Sequence, residues 1–309
     1  FGREKYTYAG VTFVYDPVYQ EEVTSYPSRD YASPDSGTRC TKPIFLRKKY
    51  GDLEDQMKLR HAQLRTQLFR TRNWTSHTVF VVDISGSMRR DDVNGARCRS
   101  DGVWLCLARD FCQASIESKT ASVTDVVSVV VMGETATTVV RCDPTGWTLF
   151  NTLLDLREWD TLRPEGPGNY LPALEEASEF LKKYDTGKAS LSLVFVSDGK
   201  PSDEGDFVGR IGEIAQRFGR RLTVTCIAMG DEEDFGVLEE MVQEAQAFHA
   251  NASFYHAALS MASLSKIVSN LSSVVASSKM ELTRHSDVQM QVRTDVRRER
   301  HDAPDDKHI

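Results

Sequence analysis

The chain has 309 residues, enough to bury a full hydrophobic core without disulfide support. Its formal charge of −7 excludes a whole-molecule attraction to nucleic acid or anionic lipid, while leaving room for local basic patches. No apolar run approaches the roughly 18 residues that a membrane span needs, and a soluble protein without a membrane span is expected.

The first forty residues are rich in Tyr, Pro, Ser and Asp. They predict one short strand, Val11 to Tyr15, and a loop-like stretch from Ser25 to Thr41 that contains Pro27, Pro34 and Gly37. From Asp52 to Arg72 the residues Leu53, Met57, Leu64 and Leu68 recur at helical spacing, so an amphipathic helix packs one face on the main domain or on a partner. Between Arg39 and Trp74 basic residues far outnumber Asp52, Glu54 and Asp55; a solvated helix face explains this better than a dedicated anion-binding surface.

From His77 onward apolar strands alternate with longer amphipathic segments, the pattern of an α/β protein. Val79 to Val82 is apolar at every position, as a strand covered on both faces should be, and it runs into the polar loop Asp83 to Ser87. A helix is predicted over Ala96 to Ser118, then a strand Asp125 to Met132, a turn at Gly133-Glu134 and a more polar strand Ala136 to Arg141 suited to a sheet edge. Helices near Thr148 to Asp155 and Leu171 to Tyr184 follow, and a second buried strand, Leu191 to Ser197, ends at Asp198-Gly199. The remainder reads as helix Asp206 to Phe218, strand Arg221 to Ala228, helix Asp234 to Phe248, strand Ser253 to Ala257 and helix Ser260 to Ser278. Beyond Met280 the chain turns polar, with Val288, Met290 and Val292 alternating as an edge strand would. The predicted organisation is an N-terminal leader with a basic helix over 1–75, a doubly wound, mostly parallel domain with one antiparallel edge strand over 76–280, and a polar tail over 281–309.

The six cysteines, Cys40, Cys98, Cys106, Cys112, Cys142 and Cys226, form no Cys-x-x-Cys pair. Cys106 and Cys112 on one helix would lie roughly 9 Å apart along its axis, too far for a bridge. All six read as buried free thiols, which points to a reducing, cytoplasmic setting.

In doubly wound sheets, ligands collect where loops converge at the carboxyl ends of central strands. Alternation through Asp83-Ile84-Ser85-Gly86-Ser87 aims three oxygen-bearing side chains one way, and Asp198 stands on a second such loop. Carboxylates and hydroxyls without imidazole or thiolate form the ligand set of a hard cation: magnesium, or else calcium or manganese. The competing reading, serines that only cap the following turn, needs one oxygen and not four from two loops.

The segment Val79 to Met88, VFVVDISGSM, resembles the metal-ion-dependent adhesion site of von Willebrand factor A (vWA) domains. The family pattern is Asp-x-Ser-x-Ser on one loop, a threonine on a second and an aspartate on a third. Asp83, Ser85 and Ser87 match the first element, and Asp198 within Phe195-Val196-Ser197-Asp198-Gly199 matches the third. Judged by Ala173-Leu174, Gly168 stands in the threonine's place, so Asn169, Glu165 or a water would have to fill that position. Asn94-Gly95-Ala96-Arg97 and Gly166-Pro167-Gly168-Asn169-Tyr170 resemble a protist subgroup, some members of which are joined to α-kinase domains. The resemblance implies a Rossmann-like fold, direct contact of Ser85 and Ser87 with the cation, and Asp83 and Asp198 holding its waters. It implies as well a partner protein that presents an Asp or Glu as the remaining ligand.

Other motifs dissolve on inspection. Asp234-Phe235-Gly236 spells a kinase triplet without the glycine-rich loop, lysine strand or catalytic loop that would accompany it, and it suits a helix start. Ser85 and Ser87 lack the spacing of an exposed nucleophile, and no histidine is expected near the apical loops. Glu165, Asp203 and Glu204 read as a solvated acidic rim. The expected function is therefore a metal-dependent protein interaction module and not an enzyme. The alternatives are a regulatory or scaffold region of a longer enzyme, such as an α-kinase, or a structural vWA domain with a degenerate site.

Overall fold

A computed structural model describes residues 4–8, 11–16, 21–27, 54–230, 235–271, 273–280 and 282. Three strands, β1 (Glu4–Tyr8), β2 (Val11–Asp16) and β3 (Glu21–Pro27), form an antiparallel sheet in the order β1-β2-β3. The sequence predicted only the middle strand and placed a loop from Ser25. The flanking strands, EKYTY and EEVTSYP, show little apolar alternation, and both pair with β2.

The main sheet has six strands: β4 (Ser76–Asp83), β5 (Asp125–Met132), β6 (Ala136–Pro144), β7 (Ser190–Ser197), β8 (Leu222–Met229) and β9 (Asn251–Ala257). Their order is β6-β5-β4-β7-β8-β9, parallel throughout except for β6, which pairs antiparallel with β5 at the edge. The expected α/β architecture with one antiparallel edge strand is what the chain adopts.

β4, β5, β7 and β8 are buried at every position, so their apolar residues serve two cores, one on each face. Val79 and Val81 of β4 join one core, Phe80 and Val82 the other, as the two-residue period of a strand requires. The first core is closed by α5 (Tyr170–Lys183), α6 (Phe207–Phe218) and α7 (Gly236–Ala247). The second is closed by α2 (Arg99–Cys106), α4 (Trp147–Leu156) and α8, whose described residues are 261–271 and 273–280. In α8, Leu264, Ile267, Val268 and Leu271 are buried and Val275 packs beside them. Fully burying each such side chain contributes roughly 1.5–3 kcal/mol.

Helix α1 (Glu54–Thr71) lies on the edge strand β6. Leu68 is buried in the first core with Leu64 and Phe69 against it, and His61 and Arg65 meet Asp143 at 3.2 and 3.4 Å. The apolar stripe of this helix is thus covered by the sheet edge.

The predicted helix Ala96 to Ser118 starts later, at Arg99, because Cys98 stays extended and its Sγ accepts the Asp101 N–H. It continues through a π-helical stretch, Leu107–Gln113, into α3 (Ala114–Glu117). Cys106, Cys112, Cys142 and Cys226 are free and buried, but Cys98 is only half-buried, a correction to the reading of every thiol as buried. Cys40, the tail with Val288, Met290 and Val292, and the acidic run 231–234 lie outside the described residues.

Candidate functional site

Parallel pairing puts the carboxyl ends of β4 and β7 side by side, with Val82 opposite Val196. Asp83 ends β4 and Asp198 follows β7, and both are almost wholly buried, at 2% and 1% exposure. The chain leaves β4 through a short 3-10 turn, Gly86–Arg89, whose capping position is Ser85. Ser85 makes no side-chain capping bond there. Its Oγ instead lies 3.0 Å from Ser87 Oγ, and Ser87 Oγ donates to Asp198 Oδ1 at 2.7 Å. These serines therefore do not serve merely to cap the turn.

Asp83 is held by two donors: Ser85 N–H reaches Oδ1 at 2.7 Å and Ser197 Oγ reaches Oδ2 at 2.6 Å. Burial pushes its carboxyl above the usual carboxylate range, against the pull of those hydrogen bonds, and the charge of Asp198 adds to the rise. No cationic side chain among the described residues pairs with Asp83.

Asp198 has a different counterpart, one that the sequence reading missed. Arg99 opens α2 at 2% exposure and donates from Nη1 to Asp198 Oδ2 at 2.8 Å. Its Nη2 and Nε reach Asp92, at 2.6 and 3.0 Å. Gly230, at the end of β8, makes room for the guanidinium: a Cβ there would lie 3.1 Å from Arg99 Nη1, and its φ of +117° is one that side-chain-bearing residues rarely adopt. The available signal was a charged residue at the start of a helix whose second half, Val103 to Cys106, is apolar. His256, through Nε2 to the Gly230 carbonyl, stands one residue contact behind Arg99, so one histidine does lie near the apical loops.

Gly168 lies against the same oxygens. A Cβ on it would sit 3.1 Å from Ser85 Cβ and 3.4 Å from both Asp83 Oδ1 and Ser85 Oγ. Its loop is tied down by reciprocal bonds with Ser202, Gly168 N–H to Ser202 Oγ at 3.0 Å and Ser202 N–H to the Gly168 carbonyl at 2.9 Å. Asn169 directs Nδ2 to the Glu134 carbonyl, and exposed Glu165 joins the apex through its backbone N–H on the Ile84 carbonyl. Asp203 is not a solvated rim residue. Its two carboxylate oxygens accept the N–H groups of Tyr170 and Leu171, capping α5 from a distant loop.

Asp83, Ser85, Ser87 and Asp198 are thus brought together, and their chemistry fits a hard cation. Oxygens on adjacent corners of a magnesium octahedron, with bonds of about 2.1 Å, stand about 3 Å apart. The Ser85 and Ser87 hydroxyl oxygens are 3.0 Å apart. No three His, Cys, Asp or Glu side chains cluster in a metal-ligating group among the described residues, so any cation here would depend on the hydroxyls.

Fold and edge geometry together define a doubly wound α/β domain with an oxygen-lined apex. Residues 78–200 match the family model described as von Willebrand factor type A domain, and the chain therefore carries a vWA domain. No curated protein sequence matches significantly. Among solved structures, the PilB minor pilin from Streptococcus sanguinis is 12% identical with a TM-score of 0.51, over 86% of this chain and 73% of the pilin. The D319A mutant of that pilin gives 14% identity and a TM-score of 0.49 over 66% of this chain, which spans only 62% of the pilin's length. The SpRpn10 VWA domain is 13% identical with a TM-score of 0.48, over 63% of this chain and 94% of that domain. Domains of this family are generally protein-interaction modules. No helix among the described residues is long and apolar enough to cross a membrane.

Proposed function

We propose that the apex is a divalent-cation site through which this domain binds an acidic side chain of a partner protein. The observation that carries the reading is the convergence of Asp83, Ser85, Ser87 and Asp198 from two loops, with successive oxygen contacts of 3.0 and 2.7 Å. Ser85 and Ser87 would supply neutral oxygens to magnesium, manganese or calcium, while Asp83 and Asp198 would hold its waters. A cation so bound would supply an electrophilic point for a carboxylate, because little negative charge touches it directly. Asn169 or Glu165 would complete the set where Gly168 offers no hydroxyl.

Titration calorimetry with magnesium, manganese and calcium tests the reading: wild type binds and Asp83→Ala does not. Affinity should rise when a peptide presenting Asp or Glu is added, by reciprocal coupling. Absence of binding of all three ions would favour the second reading, a structural vWA domain, which Gly168 at the threonine's place supports. On either reading the chain is proposed to be non-catalytic, divided near residues 75 and 280. The free thiols of the described residues support a reducing, cytoplasmic setting.

A further inference from the structure

Arg99 has no part in the site as drawn from the sequence, yet it is the one described cation in direct contact with one of its carboxylates. The bond is to Asp198 Oδ2, while Oδ1 of the same carboxylate accepts from Ser87. The two oxygens are thereby divided, one facing the hydroxyls and one facing the guanidinium. The arginine is itself shared, because Asp92 takes Nε and Nη2. The slot under Gly230 and the near-complete burial of Arg99 hold the guanidinium inside the apex.

We propose that Arg99 is a resident counter-charge that sets the strength of the apical cation site, holding down its affinity for a free divalent ion. The inference rests on the cation-site reading above. A fixed positive charge within one carboxylate of a bound ion opposes that ion through a medium of low polarisability. Removing the charge while keeping a donor to Asp198 therefore tightens cation binding. Asp92 acts in the opposite sense, since it draws part of the guanidinium's field away from Asp198. At 31% exposure its side chain can be neutralised without opening the core.

Titration calorimetry of the full chain with magnesium chloride and manganese chloride tests this, with thermal melts confirming the fold of each variant. Arg99→Gln should bind the ions about tenfold more tightly than wild type, and Arg99→Lys, which keeps the charge, should stay within about threefold of it. Asp92→Asn should bind about threefold more weakly. Binding that appears only in Arg99→Gln also supports the proposal. Wild-type binding that is unchanged or lost in Arg99→Gln overturns it and leaves the cation site standing, with Arg99 then a positioning residue for Asp198. Failure of both wild type and Arg99→Gln to bind either ion overturns the cation-site reading and this inference with it. Should Arg99→Gln fail to fold, Asp92→Asn decides: weaker binding supports the counter-charge, and equal or tighter binding overturns it.

Discussion

His77 Nε2 lies 2.9 Å from Ser128 Oγ inside the sheet, and its Nδ1 has no hydrogen-bond partner among the described residues. Burial lowers this imidazole from its ordinary value to about 4, so it folds neutral. The unfolded chain takes up the proton first, near pH 6.5, and the folded chain only near 4. Stability is therefore full above about pH 6.5 and falls as the pH drops from there towards 4, by about 3 kcal/mol for this group alone. Urea unfolding across that window should show the loss, and His77→Leu should flatten it between pH 6.5 and 4.5. An equally steep fall in the variant would assign the effect to other groups.

The two buried carboxylates of the apex should respond oppositely to neutralisation. Asp83 has amide and hydroxyl donors and no paired cation, so Asp83→Asn, measured by denaturant unfolding in cation-free buffer, should leave stability unchanged or raise it by about 1 kcal/mol. Asp198→Asn strips Arg99 of its buried partner and should cost about 2–3 kcal/mol, moderated because Asp92 remains. Equal effects at both positions would contradict the pairing described.

On the proposed cation-site reading Gly168→Thr would supply the missing hydroxyl, but in a crowded place. With the new Cβ at 3.1 Å from Ser85 Cβ, the serine must shift, at a cost of about 1–3 kcal/mol. A lower melting temperature together with tighter magnesium binding is the expected pair of results. A variant as stable as wild type would mean that the loop gives way more easily than this contact implies.

Thiol labelling should separate Cys98 from the other described cysteines. Burial pushes Cys112 and Cys226 to about 12 and Cys142 to about 11, and Cys106 is raised further by burial and by Asp110. Only Cys98 is half-buried. In a Cys40→Ser background, maleimide followed by peptide mass mapping should modify Cys98 first in the native protein, slowly because its thiol is also raised by burial. Earlier labelling of Cys112 or Cys226 would show that the core opens locally.

The main sheet was legible because its central strands carry uninterrupted apolar stretches, Val79 to Val82 in β4 and Leu193 to Val196 in β7, a pattern that burial on both faces explains. Asp83, Ser85, Ser87 and Asp198 were legible for a related reason: they are polar residues where those runs stop, and strand ends define one edge. Arg99, Ser197, Ser202 and Asp203 were not, since each acts on a partner 30 or more positions away in the chain, and nothing local marks it. Asp203 shows the difficulty well. An exposed-looking acid in a polar loop becomes the cap of α5 only once β7 brings that loop across the helix start.

The start of α8 is joined to the loop that carries Asp92 by two backbone hydrogen bonds, Asn94 N–H to the Leu259 carbonyl at 3.2 Å and Met261 N–H to the Asn94 carbonyl at 3.1 Å. Met261 also packs against Gly95 and Gly102, and Ser265 donates to Asp110 one turn further along. Tension on the chain beyond α8 would thus be borne by a short line of attachments that ends two residues from Asp92. The start of α8 and the loop that holds the Arg99 counterpart Asp92 therefore share a direct backbone connection.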